Sequence, residues 1–130
     1  MDCPECGGRT LAFPVSATLR EHLPDERPGA ALCTRCLYVV PVDDPPDDLP
    51  DFAAVSDAFP RDPETGAVLA CLLALVDSPA LYRRELDRVA AEAERRGVDV
   101  LLALDRLAAD PDLDPHFDVE RRARQLEQLI

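Results

Sequence analysis

Residues 3 to 8 read CPECGG and residues 33 to 36 read CTRC, which places four thiols in two C-x2-C pairs separated by 26 residues. A two-residue spacer lets both sulfurs of a pair face one point while the turn's backbone N–H groups donate to them. Two such pairs in one short segment form the donor set of a tetrahedral metal site. Cys3, Cys6, Cys33 and Cys36 are therefore the candidate metal ligands, with zinc as the favoured ion in a structural role. Four sulfurs leave no coordination position for a substrate.

Three rivals stay open at this level. Rubredoxin-type iron uses similar paired knuckles, although Leu37 and the shortage of aromatic residues weaken that match. Disulfides are disfavoured in a reducing cytosol. A redox C-x2-C would normally open a helix after a strand. His22 is a weak candidate for an extra ligand, because four thiols already complete the shell. Cys71 lies within the apolar run AVLACLLALV at 67–76 and reads as a small buried hydrophobe. His116, placed by the pattern in the first turn of a final helix, has no nucleophile partner in sequence.

The segment that must position the thiols spans residues 1–42 and contains only Phe13 and Tyr38 as aromatics. So short a segment cannot bury enough surface to fold unaided, and metal coordination substitutes for a core. Strands are expected over 10–15 (TLAFPV) and 37–42 (LYVVPV), with one or two helical turns between them starting at a Ser16 cap. Residues 25–29 (DERPG) read as a turn. Pro4 stiffens the first knuckle, and Gly7 and Gly8 are expected to supply positive φ values after Cys6.

Residues 43–51, DDPPDDLPD, form an acidic, proline-rich linker, read as a solvated spacer with a docking segment for a basic partner as the sharper alternative. From residue 52 to 130 the period becomes helical. Asp51 caps a short helix ending before Pro60. Asp62-Pro63-Glu64 opens a helix to about Val76, and Ser78-Pro79 repeats the device for one that stops at Gly97. That second helix carries Leu81, Tyr82, Leu86, Val89, Ala90 and Ala93 on one face. Asp99 starts another, with Val100, Leu101, Leu104, Leu107 and Ala108 inward. Asp114 is expected to cap the last, whose stripe is Val119, Ala123, Leu126 and Ile130. The fold class is thus α+β: a β zinc ribbon followed by a bundle of four to five helices.

Charge narrows the functional classes. There are 26 acids against 14 bases, a formal net charge of -12, and every base is arginine. Such a field repels phosphates, so nucleic acid is disfavoured as a partner, with Arg35 at the second knuckle its best contact. Arg83 with Asp87, Arg88 with Glu92, and Glu92 with Arg96 fall four apart and read as a salt-bridged solvent face. No phosphate-cradling glycine loop, nucleophile elbow or H-E-x-x-H occurs, so the expectation is not an enzyme. No charged and apolar leader precedes Cys3, and the longest apolar run is 10 residues, about half of what a membrane helix requires. A cytoplasmic protein without a membrane segment is expected, its oligomeric state open.

CPECG matches the CPxCG element of zinc ribbons found in transcription and translation proteins and in small archaeal proteins. CTRCL departs from it, with Thr34 in place of proline and Leu37 in place of glycine. Over its full length, including ALCTRCL, the acidic proline spacer and LLALDRLAADPDLDPHFD, the chain resembles an uncharacterised haloarchaeal zinc-ribbon family. Surplus carboxylates and absent lysine likewise resemble haloarchaeal cytosolic proteins. The resemblance implies architecture and habitat but no activity. The readings it leaves are a non-enzymatic zinc protein acting as an interaction or adaptor module, a nucleic-acid-associated ribbon, or a rubredoxin-like redox protein.

Overall fold

The computed structural model describes residues 2–129. An antiparallel sheet in the order β1-β2-β3 comprises β1 (Thr10–Pro14), β2 (Gly29–Cys33) and β3 (Val39–Val42). Between β1 and β2 lies the short helix α1 (Ala17–Arg20), where Ser16 accepts from the Leu19 N–H as expected of a cap. A single 3-10 turn at Phe52–Ala54, capped by Asp51, leads to α2 (Pro63–Val76), α3 (Arg83–Arg95), α4 (Val100–Ala109) and α5 (Val119–Leu129). The protein is α+β, a small sheet followed by helices.

The central strand β2, GAALC, was not expected from sequence, where 25–29 reads only as a turn. All five of its residues are buried, so it lacks the apolar–polar alternation of a half-exposed strand. Its register sets Thr10 opposite Cys33 and Leu32 opposite Val39, which delivers Cys33 to the second knuckle at the strand's end.

Helix α2 organises the rest. Apart from its first two residues and Ala74 it is buried all round, as expected for a helix with neighbours on every side. It packs against α3, α5, β3 and the Phe52–Ala54 turn. Gly66 lets the turn approach closely, since a Cβ there would lie 2.6 Å from the Phe52 ring. Phe52 meets Phe13 of β1 edge-on at 5.1 Å and stacks on Phe59 at 5.8 Å. Phe13, Leu32 and Leu37 thereby join Leu69, Leu72 and Leu104 in one hydrophobic core. The segment read as too short to build a core shares the one built on α2.

The acidic stretch 43–51 runs without regular structure but is held against the sheet. Arg27 bonds to Asp43, Pro45 covers Gly29, where a Cβ would lie 2.4 Å from the proline, and Leu49 packs on the core.

Two helix starts differ from expectation. Residues 79–82 form a turn, and α3 begins at Arg83 without a side-chain cap, so Ser78-Pro79 does not repeat the Asp62-Pro63 start. Leu81 consequently leaves the inward stripe and is 72% exposed, while Tyr82 is half-buried. The last helix is capped by Asp118, which accepts from the Arg121 N–H, and not by Asp114. In α4, Ala103 is buried and Ala108 exposed, the reverse of the expected face. Ile130, assigned to the last stripe, lies outside the described residues. Of the three expected i,i+4 ion pairs, Glu92–Arg96 forms among the described residues, and Glu92 takes Arg95 rather than Arg88 as its second partner.

Candidate metal centre

The two knuckles fold by the same backbone scheme. In the first, the Gly7 N–H donates to the Cys3 carbonyl and the Cys3 N–H to the Gly8 carbonyl, both at 2.8 Å. In the second, the Leu37 N–H donates to the Cys33 carbonyl at 3.2 Å and the Cys33 N–H to the Tyr38 carbonyl at 2.8 Å. Gly7 and Leu37, at matching positions, both have left-handed backbone, with φ +76° and +65°.

Glycine is the ordinary residue for that conformation, and leucine there costs on the order of 1–2 kcal/mol. Leu37 is fully buried in the main core, and burying a leucine returns about 1.5–3 kcal/mol, so burial holds the strained turn. Gly8, expected to share the positive φ, does not have one. Its role is clearance: a Cβ would lie 3.2 Å from the Cys6 Sγ and 3.3 Å from the Cys33 Sγ.

The four sulfurs converge. Cys3 and Cys36 stand 3.6 Å apart, Cys6 and Cys33 3.5 Å apart, and all four lie within 4.8 Å of one another. A disulfide needs about 2.05 Å, and all five cysteines are free. Tetrahedral zinc with sulfur bonds of about 2.3 Å has edges near 3.8 Å, which these spacings fit. Cys33-x2-Cys36 ends β2 and leads into β3 rather than opening a helix, so the redox geometry named above is not the one formed.

Backbone donors face the sulfurs. Glu5 N–H reaches the Cys3 Sγ, Gly8 N–H the Cys6 Sγ and Arg35 N–H the Cys33 Sγ, each at 3.4 Å, and Cys36 N–H reaches the Cys33 Sγ at 3.3 Å. Burial pushes the Cys36 and Cys33 thiols up. Burial also acts against Cys3, but the N–H groups of Cys6 and Glu5, with the neighbouring thiols, outweigh it and bring Cys3 to about 7. Four thiolates this close repel one another unless a cation sits among them, so binding a metal expels protons.

Outside the sulfurs lies a strap that sequence reasoning missed. The Asp114 N–H donates to the Arg35 carbonyl at 2.7 Å, and the His116 N–H to the Cys36 carbonyl at 2.9 Å. The His116 ring meets Tyr38 edge-on at 5.0 Å and Phe117 at 4.8 Å, and Tyr38 packs on the cysteine cluster. Burial lowers the His116 pKa. His116 therefore belongs to the connection between α4 and α5, not to the final helix, and it braces the second knuckle. Its contacts are backbone and ring contacts across 80 residues of chain, which no local motif announces.

The remaining candidates stay apart. His22 sits against Glu21 at 3.6 Å, outside the sulfur cluster. Cys71 is fully buried in α2, where burial pushes its thiol up to about 12 and keeps it unreactive. Among the described residues no helix is long and apolar enough to cross a membrane.

The chain matches no curated protein and no solved structure. The family model of DUF6276, a family of unknown function, matches residues 2–130, nearly the whole chain. The cysteine centre and the helices that brace it thus fall within one family unit, and the protein belongs to the DUF6276 family.

Proposed function

We propose that the protein is a non-enzymatic zinc protein in which Cys3, Cys6, Cys33 and Cys36 hold one structural Zn2+ and the folded chain serves as an interaction module for another protein. The observation that carries the metal reading is the approach of four sulfurs to within 4.8 Å of one another on two knuckles of matching geometry. A full set of protein sulfurs closes the tetrahedral shell, which favours support of the fold over chemistry on a substrate. The bound ion would join the strand ends to the α4–α5 strap through Arg35 and Cys36.

The surplus of acid, with 26 acids against 14 bases, favours a protein partner over nucleic acid and fits a haloarchaeal cytoplasm as the setting. Elemental analysis with a visible spectrum, on protein purified under reducing conditions in high salt, tests the metal reading. One colourless zinc per chain is expected. A red iron–thiolate chromophore, or no metal, overturns it.

A further inference from the structure

The four candidate ligands are not equally protected. Cys3, Cys33 and Cys36 are 3%, 0% and 2% exposed, whereas Cys6 is exposed to solvent. Nothing from its own knuckle shields it on the following side. Gly7 and Gly8 carry no side chains, and the position of a Cβ on Gly7 has no heavy atom within 4 Å. The sulfur nearest to Cys6 is that of Cys33 on the opposite knuckle, at 3.5 Å. An attacked Cys6 thus has a resolving partner already in place, and that partner is itself closed to solvent.

We propose that Cys6 is a peroxide-reactive ligand through which the metal centre opens. The proposal rests on the metal reading above. In the first step the Cys6 thiolate attacks one oxygen of a hydroperoxide, the O–O bond breaks, and Cys6 sulfenic acid and hydroxide (or alkoxide) form. In the second, the Cys33 thiolate attacks the Cys6 sulfur and displaces hydroxide, giving the Cys6–Cys33 disulfide. Two thiolates are oxidised by two electrons and one peroxide is reduced. The ion keeps Cys3 and Cys36 alone and is lost. Because Cys33 stands beside the Arg35 and Cys36 carbonyls that hold the α4–α5 strap, the same event reaches the helical part of the chain.

The test uses the full chain purified anaerobically, with zinc measured first. Hydrogen peroxide is then added with a chromogenic zinc chelator present, and disulfides are mapped by peptide mass spectrometry. A parallel sample receives a brief pulse of N-ethylmaleimide. The expected result is one zinc per chain at the start, loss of that whole equivalent on oxidation, Cys6–Cys33 as the first disulfide, and Cys6 as the first cysteine alkylated. Zinc retained with all thiols intact, a first disulfide other than Cys6–Cys33, or alkylation that begins elsewhere overturns the proposal. A chain that carries no zinc before treatment overturns the metal reading itself.

Discussion

Leu37 stands in the second knuckle where Gly7 stands in the first: each N–H donates to the carbonyl of its knuckle's leading cysteine, and each backbone is left-handed. The two turns solve one geometric demand differently. Gly7 meets it with freedom of the backbone in open space, and Leu37 meets it by anchoring in the core.

Replacing Leu37 by glycine separates these effects. Relief of the strained φ returns about 1–2 kcal/mol, while loss of a buried leucine costs about 2–5 kcal/mol. The expected net is a destabilisation of about 1–3 kcal/mol in urea unfolding, despite a closer match to the CPxCG element. An unchanged or higher midpoint for Leu37→Gly would show that the turn, not the core, sets the choice.

Gly66→Ala offers a second conflict of opposed effects. Alanine is the better helix former by about 1 kcal/mol. Its Cβ would lie 2.6 Å from the Phe52 ring, and overpacking of this kind costs about 1–3 kcal/mol. We expect the variant to melt lower than wild type, with the near-ultraviolet signal of the Phe13–Phe52–Phe59 group altered. A stabilised variant would mean that the 3-10 turn can move away from α2 freely.

The strap gives the metal site a distant reporter. Cys33→Ser is expected to weaken metal binding and to speed hydrogen exchange at the Asp114 and His116 amides, which donate to the second knuckle. Helix α2, packed on every side, should keep its protection. Unaltered exchange at 114 and 116 in metal-depleted Cys33→Ser protein would break the link drawn here.

Acid sensitivity follows from Asp110. The hydroxyl of Ser56, a buried residue, donates to its carboxylate at 2.7 Å, and with the Asp112 N–H this holds the Asp110 pKa below 3.8. A carboxyl whose folded pKa is depressed adds stability above its unfolded value and loses it as pH falls through the folded one. In Ser56→Ala the Asp110 pKa, read by NMR titration, should move up toward the ordinary carboxylate value, and the decline in stability below the unfolded pKa should become shallower. A titration curve identical to wild type would exclude Ser56 as the cause.

The charge surplus predicts a requirement for salt. At a net charge of -12, repulsion between carboxylates is screened within about 3 Å at 1 M salt and within about 10 Å at 0.1 M. The melting temperature should therefore rise between about 0.1 M and about 2 M potassium chloride. Equal values at the two concentrations would remove the main support for a saline setting.

Much of this fold is written locally. Ser16, Asp51, Asp62 and Asp99 each cap the element that their position announces, because an acceptor side chain before an apolar run is a short-range signal. The four thiols are equally legible from their spacing. What escaped was settled at long range. The strand GAALC shows no alternation because sheet and helices bury it entirely. Asp114 resembles a cap, yet its N–H is drawn to Arg35, which leaves Asp118 to start α5. The Ser78-Pro79 pair resembles the Asp62-Pro63 start, yet Ser78 instead accepts from the Leu81 and Tyr82 N–H groups in a turn that exposes Leu81. The union of sheet and helices across residues 43–51 likewise depends on Pro45 meeting Gly29, a contact between segments with no shared motif.

X-ray absorption at the zinc K-edge, on the reduced full-length protein in high salt, tests the central claim most directly. The account predicts a shell of four sulfurs at about 2.3 Å with no nitrogen or oxygen neighbour. A mixed shell that includes an imidazole or a water, or a signal too weak for one zinc per chain, would contradict it.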